Sequence, residues 1–200
     1  DAVTFDGIPV GSTCTATEGS PDGGLADGSY AWGVPTIGDA VRLSDTGTRE
    51  IAISNPIRRV YAGIEVVKVI DDNGFSGVAD PAQEFSGTWS CAYGGADPVT
   101  GTWRGTGSAA GTPATLTGDA GQVLVGSRCT VSEDTSFSAP SGDPSYRWDA
   151  TPAYDGVTVA AGEPNRLSVT NRLLRDTGKV LVTKQLTGET AGYAPTGGFA

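Results

Sequence analysis

Apolar residues recur at every second position in short runs along this chain. Residues 64–70 read Ile-Glu-Val-Val-Lys-Val-Ile, alternating and β-branched, and segments 84–93, 128–133, 156–159 and 166–171 have the same character. Turn chemistry separates them, as at Asp72-Asn73-Gly74, Ala96-Asp97-Pro98 and the stretch from Pro140 to Pro144. No segment carries a 3.6-residue period. The pattern predicts an all-β protein, with about seven short strands per 110 residues, the signature of an immunoglobulin-like sandwich.

The pattern also repeats. Val10-Gly-Ser-Thr-Cys14-Thr-Ala-Thr-Glu18 returns as Val125-Gly-Ser-Arg-Cys129-Thr-Val-Ser-Glu133, at an offset of 115. Ser29-Tyr-Ala-Trp32 returns as Ser145-Tyr-Arg-Trp148, Ile51–Asn55 as Leu167–Asn171, and Ile64–Lys68 as Val180–Lys184, all at an offset of 116. A period this long is a whole domain rather than a solenoid turn. Residues 1–61 are expected to be the C-terminal half of one unit, 62–176 a complete unit, and 177–200 the start of a third. The expectation is a window on a tandem array, with neighbours held semi-rigidly across short junctions.

Composition narrows the function. The chain has 200 residues with 30 Gly, 3 Cys and no His or Met, and a formal net charge of −10. That charge argues against a nucleic-acid groove or an anionic membrane surface. Absence of His removes His-based triads and His metal ligation. No apolar run approaches a membrane-spanning helix of roughly 18 residues. With no starting Met and no signal peptide, the sequence reads as a mature or excised segment. Asp71-Asp72-Asn73-Gly74 lacks the alternating ligands of a calcium loop and reads as a turn. No metal, cofactor, phosphate loop or nucleophile–base pair for substrate turnover is expected.

The informative residues are polar ones on apolar faces. In a strand, side chains alternate, so Lys68 shares a face with Val66 and Ile70, Glu133 with Cys129 and Val131, and Asn171 with Leu167 and Val169. The partial units repeat the arrangement: Glu18 aligns with Cys14, Asn55 with Ile51 and Ile53, and Lys184 with Val180 and Val182. Only three lysines occur, Lys68, Lys179 and Lys184, and two of them hold the same repeat position. Burial favours a neutral lysine and a protonated glutamate. A neutral amine is a nucleophile, and an asparagine amide carbon is an electrophile with ammonia as leaving group. A carboxyl group beside them can polarise the amide and move protons. The ordinary alternative is a Lys–Glu ion pair at an edge, with Asn171 ending its strand.

Lysine in the first strand, glutamate in a middle strand and asparagine ending the last resembles the B-type (CnaB-like) repeats of Gram-positive collagen adhesins and pilins. The chain is more similar still to a cysteine-containing variant found in repeat-rich actinobacterial surface proteins, with its Gly-x-x-Cys-Thr-Val-x-Glu and Val-Thr-Asn signatures. The resemblance implies tandem immunoglobulin-like sandwiches and a spontaneous Lys68–Asn171 isopeptide bond assisted by Glu133. It also implies a secreted, wall-attached structural stalk whose partners are neighbouring repeats, and whose chemistry occurs once rather than as enzymatic turnover. Gly126-Ser-Arg-Cys129 replaces the usual Gly-Tyr-Tyr run, which leaves open whether a disulfide supplements the isopeptide or replaces it.

Cys91 and Cys129 fall within the complete unit, and Cys14 is the counterpart of Cys129. A Cys91–Cys129 disulfide in an oxidising compartment is the simple reading, with two buried thiols as its alternative. Trp32 and Trp148 repeat and are read as core or inter-sheet packing, whereas Trp89 and Trp103 are read as exposed binding candidates. The competing functional reading is a binding module that displays loops 94–113 or 134–146 to a host protein or glycan.

Overall fold

The computed structural model describes residues 2–19, 23–136, 138–162 and 164–185. All regular structure among them is β. The N-terminal part contributes β1 (Thr13–Cys14), β2 (Tyr30–Trp32), β3 (Thr36–Ile37), β4 (Val41–Arg42), β5 (Ile53–Ser54), β6 (Ile57–Arg59) and β7 (Tyr61–Ala62). Six of these pair locally and antiparallel, β1 with β4, β2 with β6 and β3 with β5, while β7 pairs further along the chain, with Val123–Leu124. The middle of the chain supplies β8 (Ile64–Asp71), β9 (Glu84–Ala92), β10 (Val99–Thr106), β11 (Thr112–Pro113), β12 (Thr115–Leu116) and β13 (Val123–Leu124). It continues with β14 (Arg128–Glu133), β15 (Tyr146–Trp148), β16 (Ala153–Asp155), β17 (Val157–Thr158) and β18 (Asn165–Arg175).

Two five-stranded sheets form a sandwich-like arrangement. One runs β12-β10-β9-β14-β17; the other runs β11-β8-β18-β15, with β16 also paired to β18. Eleven pieces stand where about seven strands were expected, and two of the additional ones arise because edge segments change sheet partway. Ala114 separates β11, paired to β8, from β12, paired to β10. Gly156 separates β16, paired to β18, from β17, paired to β14. A Cβ on Gly156 would lie 2.7 Å from the Cys129 carbonyl oxygen, so only glycine fits this corner.

Strand alternation explains the core. In β18, Leu167, Val169, Asn171 and Leu173 are buried while Arg166, Arg172 and Arg175 face solvent. In β14, Cys129, Val131 and Glu133 are buried while Arg128, Thr130 and Ser132 are exposed. Trp89 and Trp103 are each 1% exposed and fill the space between the sheets, which corrects their reading as surface binding residues. Their indole N–H groups donate to the carbonyls of Thr117 (3.2 Å) and Ser132 (2.9 Å), so burial leaves no orphaned donor.

The topological feature that matters most is the pairing of β8 with β18. They are parallel neighbours, with Lys68 opposite Val169 and Ile70 opposite Asn171. A parallel pair needs a long crossover, and here the rest of the unit supplies it. On the outer face Arg166 meets Glu65 at 3.0 Å and Arg172 meets Asp71 at 3.3 Å. Each is exposed and worth at most about 1 kcal/mol, but both mark the same register.

Residues 176–185 form no strand, and Val180, Leu181 and Val182 are 85–91% exposed. The strand expected around Val180–Lys184 has no sheet to join among the described residues. The rest of the expected third unit, 186–200, lies outside them.

Candidate functional site

Lys68, Glu133 and Asn171 all reach the interior between the sheets. Lys68 is 0% exposed, Glu133 8% and Asn171 2%. Lys68 sits mid-strand in β8, and Asn171 lies on the adjacent strand, same face, one position diagonal to it, because Asn171 is two residues beyond Val169. Glu133 comes from β14 in the facing sheet. Lys68 Nζ lies 2.8 Å from Glu133 Oε1, with both side chains fully shielded from solvent. The contact has the distance of an ion pair but not the alignment of a hydrogen bond.

Three further polar atoms are left over. Neither Oδ1 nor Nδ2 of Asn171, nor Oε2 of Glu133, has a hydrogen-bond partner among the described residues. An unsatisfied buried polar group costs about 1–3 kcal/mol, so this cluster is an expensive way to fill a core. Burial pushes the Lys68 ammonium down from 10.5 to about 8, against the opposing pull of Glu133. Near neutral pH an appreciable fraction of the amine is therefore free to act as a nucleophile.

Further residues complete the site, and of them the sequence singles out Trp148, as a repeated position. The Phe85 ring centroid is 4.4 Å from Lys68 Nζ, and Trp148 packs edge-on against Phe85 at 5.8 Å. These rings exclude water and present a π face to the ammonium. The Glu133 N–H donates to the Tyr154 hydroxyl at 3.3 Å, which ties the strand carrying the carboxylate to the edge. Gly87 is directly opposite Glu133 in the β9–β14 ladder. A Cβ there would lie 2.6 Å from Trp103 Nε1 and 2.8 Å from the Glu133 Cα. Asn165, 3% exposed, donates to the Gly63 carbonyl at 2.9 Å and accepts from the Ala160 N–H at 2.7 Å. It thereby fixes the start of β18 against the start of β8. Gly87 and Asn165 did not stand out in the sequence, because a lone glycine or asparagine carries no periodic signal.

Cys91 and Cys129 form a disulfide with Cα atoms 4.0 Å apart. They are direct partners on β9 and β14, so the bond staples two strands of one sheet. Glu133 lies four residues further along the stapled strand, and the disulfide fixes its register. Cys14 is a free, half-buried thiol.

The partial-unit equivalents are brought together in part. Asn55 Nδ2 donates to Glu18 Oε1 at 2.7 Å, a direct Glu–Asn bond that Glu133 and Asn171 do not make. Asn55 is exposed and Glu18 half-buried. Lys184 is exposed and in no strand. Among the described residues, no cluster of three or more His, Cys, Asp or Glu could hold a metal ion, and no helix is long and apolar enough to cross a membrane.

One family model, described as a domain of unknown function (DUF5979), matches residues 1–57 and 64–173. The chain belongs to this family. No curated protein and no solved structure matches it. The second DUF5979 segment opens with β8 and closes within β18, and so contains Lys68, Glu133 and Asn171. The first closes two residues after Asn55.

Proposed function

We propose that this DUF5979 chain is a stalk segment of a secreted, wall-attached surface protein. Its immunoglobulin-like units of the B type lock themselves with a Lys68–Asn171 amide. The observation that carries the reading is the buried 2.8 Å Lys68–Glu133 pair beside an asparagine whose amide atoms have no partners. A unit kept only for stability gains little from such a cluster, since a buried ion pair is often no better than apolar packing. A unit that consumes the cluster chemically gains a covalent bond and loses the buried charge.

The reaction balances within the three residues. The Lys68 ammonium passes a proton to the Glu133 carboxylate. The neutral amine attacks Asn171 Cγ, and the Glu133 carboxyl hydrogen-bonds the developing oxyanion. The proton then moves to Asn171 Nδ2, the Cγ–Nδ2 bond breaks, and ammonia leaves. The Glu133 carboxylate then takes the second proton from Nζ and passes it to the departing ammonia, so that an Nζ–Cγ amide and an ammonium ion result and Glu133 is again a carboxylate. Nothing is oxidised or reduced, and the reaction occurs once. Contact within a folded core supplies the effective molarity that makes an unactivated amide reactive.

Intact mass of the purified chain tests this. One ammonia should be missing, in addition to the two hydrogens of the disulfide, and peptide mapping should join the Lys68 and Asn171 peptides. A full mass in a folded chain rejects the crosslink.

A further inference from the structure

The N-terminal part meets the complete unit through the β7–β13 ladder and, beside it, a compact polar contact. The Tyr93 hydroxyl, at the end of β9, reaches both carboxylate oxygens of Asp27, at 2.6 and 2.7 Å. Asp27 Oδ1 also accepts the Ser29 N–H at 2.9 Å. Ser29 Oγ accepts from Arg59 at 3.0 Å, and the Arg59 guanidinium stacks 4.1 Å over Tyr30 and 5.8 Å from the Tyr93 ring. The connecting strand is held from both sides. The Val60 N–H donates to the Ser29 carbonyl at 2.8 Å, and the Val60 carbonyl accepts from Val125 N–H at 3.0 Å.

The same socket stands, without its tyrosine, at the far end of the complete unit. One period on, Asp143 Oδ1 accepts the Ser145 N–H at 2.9 Å. The Asp176 N–H donates to the Ser145 carbonyl at 2.8 Å. The Arg175 guanidinium lies 5.2 Å over Tyr146. What differs is coverage. Ser29 is 1% exposed and Asp27 half-buried, whereas Ser145 is half-buried and Asp143 exposed. Ser145 Oγ, the counterpart of the oxygen that Arg59 engages, is shielded yet has no partner.

We infer that Asp27, Ser29, Arg59 and Tyr93 form a unit-to-unit joint, and that Asp143, Ser145, Tyr146 and Arg175 are the receiving half of the next one. Its partner is the tyrosine that ends the second long strand of a following unit, about position 209 by the repeat offset. A phenol hydroxyl shared between two carboxylate oxygens is a short charge-assisted contact. The arginine stacked on the ring fixes its angle. Together with the doubly bonded linker they make the array a stiff rod rather than beads on a loose string. The inference rests on the tandem-array part of the proposed function and not on the amide.

Distances between spin labels test it. Labels at Thr48 and Thr100 in a Cys14→Ser background report the first joint. The expected result is a narrow distribution in the parent. Asp27→Asn and Tyr93→Phe should each broaden it at least twofold, and the double variant should broaden it no further. For the second joint, residues 64–176 are appended after Lys179, with labels at Thr100 and at its copy in the appended unit. Asp143→Asn should broaden that distribution as Asp27→Asn broadens the first. Unchanged widths at the first joint would overturn the inference, and so would an Asp143→Asn width equal to its parent. Intact mass on the same samples reads the ammonia loss separately, so a chain with the amide and loose joints refutes the joint alone.

Discussion

Replacing Asn171 with alanine removes the electrophile and leaves Lys68 and Glu133 in place. The amide would close the loop between residues 68 and 171, and for about 100 residues the chain-entropy estimate is about 4.7 kcal/mol. The disulfide already bridges 38 residues inside that loop, so the net gain falls to about 4 kcal/mol. For a unit of this size that is about 15 °C in Tm, and Asn171→Ala should lose it. The variant also acquires a pH signature. Its Lys68 amine titrates at about 8 when folded and 10.5 when unfolded. Between those values the unfolded chain holds more protons, so stability rises with pH, by about 3 kcal/mol across the window. Below pH 8 the penalty is fully present. A parent in which Lys68 is consumed as an amide should lack this rise. Calorimetry of both chains from pH 7 to 10 reads the Tm difference and the slope together. A variant melting within a few degrees of the parent, with parallel pH curves, would refute the crosslink.

Glu133→Gln should leave the ammonia in place by intact mass, and should destabilise the unit by about 3–5 kcal/mol because it strands the Lys68 charge. Cys91→Ala with Cys129→Ala should cost about 4 kcal/mol for the 38-residue loop. It should also slow ammonia loss in a mass time course after synthesis, since the register of Glu133 is loosened. Gly87→Ala drives a methyl into the Ser132 carbonyl oxygen, and should lower both soluble yield and the fraction that has lost ammonia, while Gly95→Ala at an open turn should keep that fraction at the parent level.

Strand alternation made the core face of β8, β14 and β18 legible, because a period of two needs no tertiary information. It located Lys68, Glu133 and Asn171 as polar residues on buried faces, and the repeat showed that the chain retains them. The short edge pieces were not legible. Their boundaries at Ala114 and Gly156 depend on which sheet the chain meets, a long-range property. Phe85 reads as one apolar residue among many until the opposite sheet brings it over the Lys68 amine. The cysteine pair was readable as a bond, but its place within one sheet, four residues from Glu133, follows only from the β9–β14 register.

That placement decides what each crosslink would do under tension. The chain enters the unit at β8 and leaves at the end of β18, and the two strands are parallel. Entry and exit are therefore at opposite ends, as a stalk requires. Once Lys68 and Asn171 are joined, force runs from residue 64 to 68, across the amide, and from 171 to 175. Everything between 68 and 171 is bypassed, the disulfide included. The disulfide then bears no tension, and its contribution is to hold Glu133 in register and to stabilise the unit. In single-molecule pulling the parent unit should release no hidden length, with or without reductant. Asn171→Ala should unfold and extend. With reductant it should extend further by the 38 residues between Cys91 and Cys129, about 130 Å at the reach of an extended chain. Extra extension of the parent on reduction would mean that force passes through the disulfide, and the amide could not then be in place.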